Sequence, residues 1–142
     1  CIIITHQSID EIWGGYCVPN RLDVRKVIDD ANNQTNFQKV IACFCGHHHI
    51  DDHSYINKVH YFQMNSASYY YVGEGFGSDG AKAMYKDPLF AFVTIDPSGK
   101  ITIEGKQSQF LSPTPLEKKH RDAARISAQI SSKKEIFKGK IS

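Results

Sequence analysis

The sequence predicts an α/β fold that opens on an N-terminal βαβ unit and continues as mostly antiparallel β. Three observations carry this. Ile2 to Thr5 and Lys39 to Cys45 are short, continuous apolar runs, the pattern of strands buried on both faces. Between them Val24, Val27, Ile28 and Ala31 recur on one face at helical spacing. Beyond Gly46 the apolar runs shorten and are broken by turn residues. Strand, helix, strand is the unit of parallel pairing with a crossover helix, so the first two strands should point the same way.

Residues 7 to 19 form a long connection containing Trp13, Gly14, Gly15 and Pro19, and long loops inside compact domains are often functional. Asn20 followed three positions later by Asp23 predicts a capped helix start, and Asn32-Asn33 a stop. Tyr55 to Asn57 and Val59 to Gln63 predict two short strands around a turn, and Tyr69 to Val72 another. Gly73 to Asp87 is glycine-rich and reads as an ordinary loop in preference to a phosphate cradle. Leu89 to Ile95 and Lys100 to Glu104 flank Asp96-Pro97-Ser98-Gly99, the turn chemistry of a β-hairpin. Thr114 to Glu117 is a capping box with Pro at the first helical position, which predicts a short helix. Ile126, Ala128 and Ile130 alternate like a strand. Residues 1–112 read as part of one domain and 113–142 as a basic C-terminal extension.

A chain of 142 residues with 41% hydrophobic content can bury a core, and no apolar run approaches the roughly 18 residues that span a membrane. The net charge of +2 is too small to be an electrostatic footprint for nucleic acid. From residue 117 onward, however, eight Lys or Arg stand against three acids, most simply a solvated surface. Cys43 and Cys45, two apart in one strand, are poorly placed to bridge, so buried reduced thiols are expected. Cys1 runs directly into Ile2, Ile3 and Ile4 like a core strand entered midway, so a preceding segment is expected. Localisation is left open.

The chemistry concentrates in Gly46-His47-His48-His49-Ile50-Asp51-Asp52-His53, where four of seven histidines follow a buried strand. Neutral imidazole is a common ligand for borderline metal ions. Gly46 is expected to let the backbone turn sharply or approach closely at the strand end. His6 lies just past the first strand and His47 just past the second, so parallel pairing would make them neighbours at the edge where open α/β sheets build ligand sites. A structural zinc site from Cys43, Cys45, His47 and His49 is disfavoured, because residues two apart on a strand sit about 6.6 Å apart.

At these residues the sequence resembles the C-terminal half of the calcineurin-like metallophosphoesterase family, bacterial type. Its later signatures are a histidine ending one strand and a Gly-His-x-His motif ending the next. They read here as IIITHQSID at residues 2 to 10 and CFCGHHHIDD at residues 43 to 52. The stretch INKVHYFQMNSASYYYVG, residues 56 to 73, is similar to the strand and Asn-Ser turn that follow in bacterial members. The likeness is specific over residues 1 to 73 and weaker to about residue 112. It implies a two-sheet sandwich flanked by helices, with the metal centre at the C-terminal strand ends. It implies two divalent or trivalent transition-metal ions (zinc, manganese or iron), His6 and His47 ligating one and His49 the other. His48, at the variable position, would touch substrate or stand exposed and neutral. The implied reaction is hydrolysis of a phosphomonoester or phosphodiester, the cations clamping the phosphate and lowering the pKa of a water.

The family also requires an upstream Asp-x-His, a Gly-Asp-x-x-Asp and a Gly-Asn-His, and none precedes His6. Asp51-Asp52-His53 matches the first by letters but follows Gly-His-x-His. No catalytic residue is therefore assigned, and the chain is expected to be a hydrolase fragment with little activity alone. Its expected partners are the phosphoester and either a missing N-terminal half or a second copy of the chain, with no nucleic-acid or membrane role. The alternative is a non-catalytic, self-associating binding module, its exposed strand edges driving association. Tyr69, Tyr70, Tyr71, Trp13 and Phe76 read as core first and as lining for a flat group second.

Overall fold

The structure, a computed structural model, describes residues 1–10, 17–72, 79–120 and 134–136. It is mixed α/β, mostly strands in small sheets, and the described residues contain one α-helix. The elements are β1 (Ile2–Ile4), α1 (Arg21–Asn33), β2 (Ala42–Cys45), β3 (Asp52–Ile56), β4 (Val59–Gln63), β5 (Tyr69–Tyr71), a 3-10 turn (Asp79–Ala81), β6 (Lys82–Met84), β7 (Ala91–Ile95), β8 (Ile101–Gly105) and β9 (Lys134–Ile136). A four-stranded sheet runs β1-β2-β4-β3, β5 pairs with β6, and a three-stranded sheet runs β7-β8-β9.

β1 and β2 are parallel, with Ile3 opposite Cys43, and β4 is parallel to β2, with Phe62 opposite Phe44. Side chains alternate across the main sheet. Cys43, Val59 and Tyr61 share one face with Ile3 and Ile56, and that face is packed by Ile28 and Val24 of α1 together with Ile9 and Val18. Ala42, Phe44 and Phe62 share the other face with Ile101 and Ile103 of β8. The Phe44 and Phe62 rings stack there at 4.9 Å.

Several sequence expectations change in detail. β1 is an edge strand, not one buried on both faces: Ile3 packs inward, whereas Ile2 and Ile4 are 43% and 77% exposed. Val27 lies about 60° around the helix from Val24, at the rim of the apolar stripe, and is 68% exposed. Asn20 makes no side-chain cap, and its backbone carbonyl accepts from the Asp23 and Val24 N–H groups instead. β2 is shorter than predicted because Val40 is held outside it by Asn32, whose side chain accepts from the Val40 N–H and donates to the Val40 carbonyl.

β3 and β4 form a hairpin whose turn residues, Asn57 and Lys58, both have positive φ, as a type I′ turn needs. β4 enters between β3 and β2, so the antiparallel hairpin is joined to the parallel pair by its second strand. β7 and β8 pair across the predicted turn. Asp96 Oδ1 accepts from the Ser98 and Lys100 N–H groups, and Gly99 supplies φ 80. The predicted helix at Thr114 is a single turn: its capping box forms, Glu117 Oε2 accepting from Thr114 N–H at 2.6 Å, but Lys119 turns left-handed at φ 54. The Ile126 to Ile130 alternation lies outside the described residues, as do Trp13 and Phe76. The glycine-rich stretch contains β6, which its composition concealed. All four cysteines are free thiols, three of them buried.

Two predictions follow from this packing. Phe62→Ala should cost about 3–5 kcal/mol in denaturant unfolding, whereas Ile4→Ala should stay within about 0.5 kcal/mol. His60, 7% exposed, lies with its Nδ1 3.0 Å from His53 Nε2, and its ring packs against Tyr55. Burial, then the neighbouring His53, pushes its pKa from 6.5 down to about 4. Between those values the unfolded chain binds the extra proton. The contribution of neutral His60 is therefore complete above pH 6.5 and lost as pH falls towards 4, by about 3 kcal/mol at most. Urea midpoints from pH 7 to pH 4 should show that slope, and His60→Phe should flatten it.

Candidate metal centre

Parallel strands end at the same edge of a sheet, and here the edge beyond β1 and β2 carries the histidines. Thr5 N–H donates to the Phe44 carbonyl and Gly46 N–H to the His6 carbonyl, so the two segments stay hydrogen-bonded to each other just past the strands. That ladder brings His6 and His47, 41 positions apart in sequence, to 3.1 Å between His6 Nε2 and His47 Nδ1. The rings meet edge to face, 77° between planes.

The expected sharp turn at Gly46 is made elsewhere. A Cβ at Gly46 would approach only the Met64 carbonyl, at 4.0 Å, an ordinary contact. The left-handed backbone falls on His47 (φ 73) and His49 (φ 58), flanking His48. Non-glycine residues in this region carry strain of order 1–3 kcal/mol each, and such strain gathers at functional segments. It curls the segment away from an extended strand, so Cys43, Cys45, His47 and His49 do not continue one alternating face.

His49 is seated by β5. Its Nδ1 lies 3.0 Å from the Tyr69 carbonyl oxygen, which can only accept, so Nδ1 carries the proton and Nε2 presents a lone pair. A backbone carbonyl fixing one imidazole nitrogen is how metal-binding histidines are commonly oriented. The Tyr71 ring stacks on His49 at 4.6 Å and Tyr69 meets it edge-on at the same distance. The two tyrosine hydroxyls are 3.2 Å apart, and Lys82 Nζ sits 5.2 Å from the Tyr69 ring centre. Burial holds the pKa of His49 below its ordinary value against the Tyr69 carbonyl, which raises it, and the His47, His6 and His48 rings push the same way as burial. Tyr70 turns instead into the cluster of Tyr85, Leu89 and Phe110.

His48 sits between these and differs from both. Its ring nitrogens are shielded from solvent, and burial lowers its pKa, with the Gln63 side chain and the Asp10 charge opposing. Asp10 gave no sequence signal beyond following His6 by four positions. It is 1% exposed, accepts from Ser8 Oγ at 2.6 Å and from Ser54 Oγ at 3.3 Å, and ties the loop after β1 to β3. Burial lifts the Cys43 thiol to about 12 and the Cys45 thiol to about 11, so neither is a ready thiolate ligand.

Two nitrogens each about 2.0–2.1 Å from one ion and 3.1 Å apart subtend roughly 98°, between octahedral and tetrahedral angles. The His6 and His47 geometry therefore fits two ligands of one ion when both nitrogens are deprotonated, and a hydrogen bond when one is protonated. Among the described residues no group of three or more His, Cys, Asp or Glu side chains is gathered around one point. No protein-family model matches the chain, and no curated protein matches it.

The assigned tautomer is directly measurable. Imidazole ¹⁵N spectra at pH 7 should show His49 neutral with its proton on Nδ1, and its titration midpoint should fall below 6.5. A proton on Nε2 would contradict the Tyr69 carbonyl contact.

Proposed function

We propose that the edge beyond β1 and β2 is the histidine half of a dinuclear metal centre for phosphoester hydrolysis, of the metallophosphoesterase kind. The observation that carries the reading is the 3.1 Å approach of His6 Nε2 and His47 Nδ1 at the C-terminal ends of two parallel strands. His6 and His47 would hold one ion and His49, through Nε2, the other. When bound, two zinc, manganese or iron ions supply Lewis-acid polarisation of a phosphoryl group and acidify water.

The chain's own residues do the positioning. The Tyr69 carbonyl fixes the His49 tautomer, and the Tyr71 ring holds its plane. His48, which the family resemblance would offer to substrate or leave exposed, has both ring nitrogens shielded beside Gln63 and Asp10, so it supports the loop from within. The same reading takes the β8 face packed on Phe44 and Phe62 as one wall of a two-sheet sandwich, and β1, α1 and β2 as its βαβ unit; the shared cluster and the parallel pairing support this.

Three neutral imidazoles leave the charge of two cations uncompensated, and a bridging carboxylate is the usual remedy. We infer that such acids come from an additional segment or partner, so that this chain alone binds ions weakly and turns over little. A second reading, a non-catalytic self-associating module, is favoured by one observation, the uncharged edge of β7, which no strand among the described residues pairs.

Zinc or manganese titrated into the chain, followed by imidazole ¹⁵N shifts and calorimetry, tests the first reading. His6, His47 and His49 should shift, and each His→Ala change should weaken binding about 10-fold or more. Hydrolysis of bis(p-nitrophenyl) phosphate by the loaded chain should stay near background. Metal binding that survives replacement of all three histidines would overturn the assignment.

A further inference from the structure

β7 is the outer strand of the β7-β8-β9 sheet, and among the described residues no strand pairs with its far side, the nearest cover being Ala67, whose carbonyl accepts from Leu89 N–H just before the strand. Which backbone groups face that side follows from the ladder. Lys106 N–H donates to the Phe90 carbonyl and Asp96 N–H to the Lys100 carbonyl, so the even-numbered residues from 90 to 96 are the ones bonded to β8. The N–H and C=O groups of Ala91, Val93 and Ile95 therefore point outward.

Exposed edges are normally guarded by lysine, proline, a bulge or a cover. Residues 89 to 95, Leu-Phe-Ala-Phe-Val-Thr-Ile, contain no charge and no proline. The side chains are as open as the backbone: Phe92 is 67% exposed, Val93 40% and Ile95 36%. Val93 and Ile95 are the cross-strand partners of Ile103 and Ile101, both in the core cluster against the main sheet. Their exposure is thus the unfinished rim of an apolar layer, and a strand added at this edge would extend that layer.

We propose that β7 docks a second copy of this chain through antiparallel pairing of the two β7 strands. One register satisfies every outward group: Val93 opposite Val93 of the other copy, and Ala91 opposite Ile95. Each of these pairs exchanges both of its hydrogen bonds. The remaining pair, Phe92 opposite Thr94, joins an aromatic to a β-branched residue, a favourable cross-strand combination. A two-fold axis through Val93 sets no like charges against one another, and the formal net charge of +2 opposes association weakly. An uncharged, self-complementary edge of this length accepts its own copy without any special feature in the partner. The proposal stands apart from the metal reading and uses none of its residues.

The test is the mass of the full chain in solution, by light scattering over the micromolar range, with amide exchange of Ala91, Val93 and Ile95. The expected result is twice the 16.0 kDa chain mass and concentration-dependent protection at those amides. Val93→Pro removes an N–H that β8 does not use, and Val93→Lys sets two ammonium groups face to face across the axis. Both should weaken the dimer at least tenfold while Thr94 and Thr102 amides stay protected, showing the hairpin intact. A chain-mass monomer with fast exchange at all three amides would overturn the proposal. So would a dimer that both variants leave unchanged, since its interface would then lie elsewhere.

Discussion

Parallel pairing of β1 with β2, and of β2 with β4, is the constraint on which the rest of the described structure depends. It sends three strands out of the sheet at one edge, so the loops beginning at His6, Gly46 and Met64 start side by side. The long connection that contains α1 makes that possible, since parallel neighbours cannot be joined by a tight turn. Burial enforces it. Cys43, Val59 and Tyr61 face the helix while Ala42, Phe44 and Phe62 face β8, so a slip of one residue would exchange the two apolar faces.

The same constraint explains where strain and aromatic packing collect. Once the β2 and β1 exits are locked together by Gly46 N–H on the His6 carbonyl, the chain must reverse at once to return as β3. The reversal is made with left-handed histidines at 47 and 49 and anchored from two sides, by Tyr69 and Tyr71 against His49 and by Asp51 accepting from Asn65 N–H. Asn65 in turn accepts from the Tyr85 hydroxyl, whose own pKa is raised by burial. The histidine loop is thereby supported by a chain of contacts that reaches the Tyr85 and Leu89 cluster, well away from the sheet edge.

What was legible in the sequence was what periodicity and strand order encode. Two apolar runs around an amphipathic helix were enough to put His6 and His47 at one edge, because that conclusion needs only direction and connectivity. The hairpin at Asp96 was legible from its turn residues, and so was a hairpin ahead of Val59, although Asn57, read as strand, belongs to its turn. Burial state was not: three consecutive isoleucines look the same in a central strand and in the edge strand β1, where Ile4 is exposed. Nor were β6 and β9: Lys82-Ala83-Met84 and Lys134-Glu135-Ile136 carry neither an apolar run nor an alternation, unlike the equally short β1 and β5. Neither reading of Gly46 holds: the left-handed conformations fall on His47 and His49, and a side chain at 46 would meet only an ordinary contact at the Met64 carbonyl. Asp10 was illegible because an acid's burial depends on Ser8, close in sequence, and also on Ser54, which is not.

Electrostatics then separates His48 from His49. His48 lies where burial and Asp10 oppose each other, so it is the member whose proton is influenced by a fixed anion. His49 has a carbonyl in place of a carboxylate, and its neighbours are other imidazoles, all of which disfavour a charge on it. With Nδ1 committed to the carbonyl, His49 offers Nε2 as a Lewis base, and burial together with the neighbouring imidazoles outweighs the carbonyl, which favours the charge, so that the ring resists protonation as pH falls. In the proposed centre that would keep His49 competent as a ligand below the pH at which an ordinary histidine is lost to protons. In that proposed centre the same neutrality would leave a cation held through donor geometry and not through charge, so its affinity in isolation should be low and an anionic group would bind together with the metal instead of before it.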